Sequence, residues 1–168
     1  MTRLLGVDLG TRRIGLAVGD SVSGSAVPLA TIRRADPERD ARTIGRIVQE
    51  QRVDELVVGL PLNMDGSEGF QAAATREWAL AVADTAAVPI AWRDERLTTE
   101  RAIERTTGPG RGSSGGPPSA HRRTAYRARL DQLAAAAIVQ AELDARAAAS
   151  EARRTPSESA PTNDRQPK

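Results

Sequence analysis

Three places in this 168-residue sequence set carboxylates where an apolar element ends or borders something else. Asp8 lies near the end of the run RLLGVDL (3–9), Asp94 and Glu95 close the run VPIAWR (88–93), and Asp131 sits in a long alanine-rich stretch. Strand alternation puts Leu4, Gly6 and Asp8 on one side, where Gly6 leaves space beside the carboxylate. The same alternation divides the neighbouring acids. Ile90, Trp92 and Asp94 share one side of their strand and Ala91, Arg93 and Glu95 the other, so only one of the two shares a side with Asp8. Asp131 precedes Ala134 by three residues and Ile138 by seven, which places it at the border of an apolar helix face. Clustered carboxylates repel and raise one another's pKa unless a cation lies among them. Hard divalent ions such as Mg²⁺ or Mn²⁺ take oxygen ligands, and a pair of them can activate water and stabilise the leaving oxygen of a phosphodiester. Each acid also has a plainer reading: Asp8 satisfied by the following turn, Asp94 and Glu95 paired in solvent with Arg93 and Arg96, Asp131 paired with Arg127 or Arg129. Such exposed pairs are worth little energetically, and spacing alone leaves both readings open.

Other hydrolytic chemistries are excluded by what is missing. With no cysteine there is no thiol nucleophile, disulfide framework or thiolate zinc site. The one histidine, His121, excludes a multi-histidine metal site, and a Ser-His-Asp triad would rest on it alone beside a Gly-rich segment. No apolar run approaches the roughly 20 residues of a membrane helix, and Asp8 interrupts the stretch a signal peptide would need. These features point to a soluble, cytoplasmic protein with no membrane partner.

The basic residues are unevenly placed. Of 24 Lys+Arg, only Lys168 is lysine, and the net charge is +2 while the pI is about 9.9. Arginine keeps its proton up to about pH 12, so a small excess holds the chain positive. Codon bias explains the preference for arginine over lysine but not its distribution. Between Glu104 and Asp131 there are no acids and six arginines: Arg105, Arg111, Arg122, Arg123, Arg127 and Arg129. Such a stretch suits a phosphate backbone. Tyr126 is its only aromatic residue, so recognition by base stacking is limited.

The elements that must position these residues read as follows. Residues 3–9 and 13–19 form an antiparallel hairpin across Gly10-Thr11-Arg12. Residues 26–32 form a third strand, held to an edge or a strand start by Pro28. Asp36-Pro37-Glu38 opens a helix with Ala41, Ile44, Ile47 and Val48 at helical spacing. Residues 55–60 suit a central strand covered on both faces. After the loop 61–69, Ser67 caps a helix that turns Phe70, Ala74, Trp78, Ala81 and Val82 to one side. A fifth strand spans 88–93, and Thr98 or Thr99 caps a short helix to about Arg105. Residues 106–120, with five Gly, three Pro and three Ser, form a flexible loop. A final helix runs from about Arg122 to Arg146, with Leu130, Leu133, Ala134, Ala137, Ile138 and Ala141 as its apolar face. One domain over 1–148 and a disordered tail over 149–168 result. A meander followed by strand–helix alternation is an α/β fold, a mixed five-stranded sheet flanked by helices.

Four motifs in this order, VDLGTRRIGLAVGD (7–20), VVGLPLNMDGSEG (57–69), DERLTT (94–99) and LDQLAAAAIVQ (130–140), resemble the YqgF family, also called RuvX. These are bacterial Holliday-junction-resolvase-like proteins described as pre-16S rRNA nucleases. The resemblance covers about residues 3–146. It implies a ribonuclease-H-like fold, phosphodiester hydrolysis, and a role in maturing the 5′ end of 16S rRNA, with action on branched DNA as the alternative. It also implies a catalytic, metal-holding set of Asp8, Glu95 and Asp131, with Asp94 as the alternative to Glu95, and Mg²⁺ or Mn²⁺ as cofactor. Arg12, Arg13, Arg96, Arg111, Arg122, Arg123 and Arg127 are then the expected substrate-binding residues. The unusually Gly- and Pro-rich segment 106–120 departs from the family pattern. Two readings stand against a nuclease. One is a non-catalytic nucleic-acid-binding module in transcription or ribosome assembly. The other is an actin-like ATPase, suggested by Asp8-Leu9-Gly10-Thr11, although 168 residues hold only one of the two domains such a protein needs. A junction resolvase calls for a homodimer to make paired cuts, whereas an rRNA-processing nuclease works as a monomer.

Overall fold

A computed structural model describes residues 1–95 and 119–154. Strands β1 (Arg3–Leu9), β2 (Arg13–Asp20) and β3 (Ser25–Arg33) form the expected antiparallel meander. Helix α1 (Pro37–Gln51), strand β4 (Glu55–Leu60), helix α2 (Phe70–Ala86) and strand β5 (Ile90–Asp94) follow, and helix α3 (Ala120–Arg154) closes the described chain. The five strands form one sheet in the order β3-β2-β1-β4-β5, with β1, β4 and β5 parallel. Pro28 lies in the edge strand β3, where its missing N–H costs no central ladder bond.

The sheet is covered on both faces, which is why β1 and β4 read as nearly continuous apolar runs. Leu5, Val7, Ile14, Leu16, Leu56 and Val58 pack with α1 and α2 on one face. Leu4, Ala17 and Val57 pack with Ala135, Ile138, Val139 and Leu143 of α3 on the other. Helix α1 begins as its sequence requires: Asp36 Oδ1 accepts from the Arg39 N–H at 2.9 Å, and Pro37 follows. Buried Asp40 joins α1 to α2, accepting from Trp78 Nε1 at 3.1 Å and from the Ala35 N–H at 2.9 Å.

Several elements differ from expectation. Ser67 does not cap α2; its hydroxyl donates to Asp65 Oδ1 at 2.6 Å within the loop, and Gly69 stands at the N-cap. The buried side of α2 is Ala72, Thr75, Trp78, Ala79, Val82 and Ala83, while Phe70 is 90% exposed and Ala81 is also exposed. Alanine is apolar on every side of this helix, so the pattern lacked the contrast that fixes a face. The same cause shifts α3, whose buried residues are Ala135, Ile138, Val139, Glu142 and Leu143, leaving Leu130 and Leu133 half-buried. Helix α3 is longer than expected at both ends, so residues 149–154 belong to it and not to a tail. The short helix after Thr98 or Thr99, segment 106–118 of the proposed loop, and tail residues 155–168 lie outside the described residues.

Glycines set the distance between α3 and the sheet. A Cβ on Gly15 would strike the Asp131 carbonyl and lie 3.1 Å from the Asp131 Cα. One on Gly6 would lie 2.7 Å from the Ala135 carbonyl oxygen, and one on Gly19 2.7 Å from Val139 Cγ1. The space at Gly6 is therefore filled by α3 and not left open beside Asp8. Two substitutions test this packing by denaturant unfolding. Gly15→Ala should cost roughly 1–3 kcal/mol, because backbone must move. Gly45→Ala, in α1 with nothing within 4 Å of its Cβ position, should stabilise by roughly 0.5–1 kcal/mol through helix propensity.

Candidate active site

The C-terminal ends of β1, β4 and β5 meet the start of β2 and the N-terminal half of α3 at one rim of the sheet. Open α/β sheets bind ligands at such rims. Asp8 arrives there from β1 on the face that carries Leu4 and Gly6. Glu95 follows β5 on the same face: Ala91 packs under α3, Arg93 bonds Glu142 of α3, and Glu95 is the next residue in that alternation. Trp92 turns to the opposite face, packed against the α1–α2 core with the Arg76 guanidinium 4.5 Å from its ring centre. Asp94 shares that side of the strand. Of the two neighbouring acids, Glu95 is thus the one brought to Asp8.

The two side chains are hydrogen-bonded to each other. A carboxylate can join another only through a proton, so the pair shares one. Burial, then the charge of Asp8, then its hydrogen bond to Asp8, and finally the charge of Asp94 push the Glu95 carboxyl up to about 7. Burial and the charge of Asp131 push Asp8 up to about 6, against the hydrogen bond from Glu95, which favours the charged form. Gly59 of β4 makes room for this arrangement, since a Cβ there would strike Glu95 Oε1 and lie 2.7 Å from its Cγ and from Ile138 Cδ1.

Asp131 joins from above through the α3–Gly15 contact. Its Oδ2 accepts from Arg13 Nε at 2.5 Å, with the two side chains 25% and 31% exposed. The partner is Arg13, and not Arg127 or Arg129 of its own helix. Asp131 lies near enough for its charge to act on Asp8, but among the described residues no three acidic or histidine side chains are grouped closely enough to hold a metal ion. The structure therefore joins Asp8 to Glu95 and sets Asp131 apart on Arg13. The donor chemistry nonetheless fits a hard divalent cation, because two half-buried carboxylates in contact require a proton or a cation between them.

Beside Asp131 opens a cleft of about 380 Å³ lined by Gly10, Thr11, Arg12, Arg13, Arg127 and Asp131. Three of the expected substrate-binding arginines, Arg12, Arg13 and Arg127, meet there. Arg122 and Arg123 are exposed near the start of α3, whereas Arg96 and Arg111 lie outside the described residues. Two further arginines reach this rim. Arg33 pairs with Arg13 in the β2–β3 register. The Arg34 N–H donates to the Arg12 carbonyl at 3.1 Å and Arg34 Nη1 to the Gly10 carbonyl at 3.2 Å. Their sequence signal is an Arg pair at the end of a largely apolar strand.

The family model described as RuvX, Holliday junction resolvase, matches residues 2–145. The chain belongs to the RuvX family. A protein of Paracoccus denitrificans (strain Pd 1222) carrying the name "Putative pre-16S rRNA nuclease" is 42% identical over 142 residues, covering 83% of this chain and 82% of its own. One of Anaeromyxobacter sp. (strain Fw109-5) with the same name is 42% identical over 144 residues, covering 86% and 98%. Among solved structures, T. thermophilus RuvC in complex with Holliday junction substrate superposes with a TM-score of 0.50 at 18% identity, over 88% of this chain and 96% of that one. That likeness concerns the fold, which is ribonuclease-H-like as expected. No helix among the described residues is long and apolar enough to cross a membrane.

The raised carboxyls of this RuvX chain carry a stability cost with a definite sign. Both groups hold their protons more tightly folded than unfolded, so the cost is absent below about pH 4, grows as pH rises from there, and is complete above about 7. Without divalent ions, Glu95→Gln should stabilise the protein at pH 8 by roughly 1–3 kcal/mol and have little effect at pH 4. Denaturant unfolding at the two pH values measures this.

Proposed function

We propose that this chain is a metal-dependent nuclease that hydrolyses phosphodiester bonds of structured RNA, and that its substrate is the 5′ end of pre-16S rRNA. The observation that carries the reading is the half-buried, hydrogen-bonded Asp8–Glu95 pair at a sheet rim bordered by arginines. Family membership supports the hydrolytic reaction, and the name shared by its relatives supports the RNA.

Asp8, Glu95 and Asp131 would hold Mg²⁺ or Mn²⁺. A divalent cation bound there supplies a Lewis acid that activates water and stabilises the departing oxygen. Asp8 and Glu95 would give up their shared proton to take it. Arg12 and Arg127, both exposed at the cleft, hold the phosphate backbone by charge and by bidentate hydrogen bonds. Arg122 and Arg123 extend the basic surface along α3 toward the flanking strand. Contacts of this kind carry little base information, so the substrate is selected by shape. The family description favours branched DNA as the second substrate.

Cleavage of an RNA bearing the pre-16S 5′ leader, measured beside cleavage of a four-way DNA junction, tests the reading. Cleavage should require Mg²⁺ or Mn²⁺ and favour the RNA, and Asp8→Asn and Asp131→Asn should each lower it at least ~100-fold. Full activity in either variant overturns the acidic site. Salt-sensitive RNA binding with no cleavage by the wild type would instead identify a binding module. The mass of the active species distinguishes a monomer from the homodimer that paired junction cuts require.

A further inference from the structure

Arg13 is the first residue of β2 and shares the face of Gly15, Ala17 and Gly19 that lies under α3. Because Gly15 has no side chain, the backbone of α3 at Asp131 comes down onto β2, and the Arg13 guanidinium meets the Asp131 carboxylate. The bond runs from Nε to Oδ2 at 2.5 Å. It is single-pronged and not the two-pronged fork that makes Arg–carboxylate pairs tenacious. Both side chains are partly exposed, and both line the cleft with Gly10, Thr11, Arg12 and Arg127. Arg13 thus lies between a carboxylate expected to ligate a cation and a cleft expected to receive a phosphate. A guanidinium and a divalent cation repel each other, and where both approach the same carboxylate oxygen they compete for it.

We propose that Arg13 is a positioning residue with two partners: it holds Asp131 as a counter-ion until the divalent cation displaces it, and the released guanidinium then takes a substrate phosphate in the Gly10–Arg13 and Arg127 cleft. This rests on the metal-dependent reading above. It adds an order of events, in which metal and substrate phosphate favour each other's binding because the first frees the group the second needs. Such coupling is reciprocal.

The test measures binding, apart from activity. Mn²⁺ affinity is read by calorimetry for the wild type and for Arg13→Gln, which keeps a polar side chain without the charge. The affinity of a labelled RNA hairpin is then read with and without Ca²⁺, used as a non-cleaving ion. Arg13→Gln should bind Mn²⁺ roughly 5–10-fold more tightly, since its competitor for Asp131 is gone. Ca²⁺ should strengthen RNA binding to the wild type several-fold, beyond its effect on Arg13→Gln. Equal or weaker Mn²⁺ binding by a folded Arg13→Gln, or an equal Ca²⁺ effect on both proteins, overturns the proposal while leaving the metal site intact. Absence of Mn²⁺ binding by the wild type overturns the metal reading and this inference with it. If Arg13→Gln fails to fold, the wild type gives the answer through the NMR resonance of the Arg13 Nε–H. That resonance should shift at saturating Mg²⁺ as the carboxylate partner is lost, and an unmoved resonance overturns the proposal.

Discussion

Helix α3 rests on the backbone of the sheet. Gly6, Gly15 and Gly19 form a glycine track across β1 and β2, and Gly59 continues it on β4. Ala135 and Val139 settle into this track with Ile138 and Leu143 beside them. An ordinary helix-on-sheet contact keeps backbones apart by the thickness of two side chains; here one of those layers is absent for several residues. Asp131 depends on this contact directly, because its own backbone lies over Gly15. The Glu95 carboxylate fills the space that Gly59 leaves. Packing and chemistry at this rim are therefore one constraint, and a methyl group on the sheet face would disturb both.

The same face carries two glutamates with opposite treatment. Glu142 on α3 is buried, which works against its charge, yet hydrogen bonds from Arg146 and Arg93 hold its carboxyl below the usual range. Arg146 also reaches Glu55 at 2.7 Å, tying α3 to the start of β4. Glu95 has Asp8 as a neighbour, and its carboxyl is raised. A fold that supplies arginines to one buried acid and another acid to its neighbour treats the first as a strut. The second is left with a raised carboxyl at the sheet rim, a pattern that recurs at functional sites. The core sustains that cost because Leu5, Val7, Leu56 and Val58 bury the opposite face of the same strands.

Much of this was legible in the sequence where local chemistry is decisive. The meander, the Asp36-Pro37 helix start and the central strand at 55–60 follow from turn residues, capping and continuous apolar runs, and the fold class follows from their order. Asp8, Glu95 and Asp131 could be singled out by residue type, but their relation could not. Choosing Glu95 over Asp94 requires knowing that Ala91 and Arg93 lie under α3, which is a fact of tertiary packing. The faces of α2 and α3 are not legible in the sequence because alanine marks no side of a helix. The Arg13–Asp131 pair joins residues 118 positions apart, and no periodicity encodes it. Gly15 was the available clue, a small residue within an otherwise apolar strand, which marks a place where another backbone comes close.

Strand direction explains why charges of both signs meet at one rim. In the parallel half of the sheet, β1, β4 and β5 all end there, so each can deliver a residue just past its last ladder pair. Two of these ends deliver Asp8 and Glu95. In the antiparallel half, β2 begins where β1 ends and β3 ends where β2 begins, so the turn at Gly10–Arg12, the start of β2 and the end of β3 reach the same rim. These carry Arg12, Arg13, Arg33 and Arg34. Strand β1 belongs to both halves, antiparallel to β2 and parallel to β4, and therefore lies on the boundary between acids and bases. Helix α3 crosses that boundary, bringing Asp131 over β2 beside Arg13 and Arg127 to the cleft. The pairing of Arg13 with Asp131 is where the two halves of the sheet exchange charge. A ligand that carries a cation on one side and a phosphate on the other matches this division without any strand having to move.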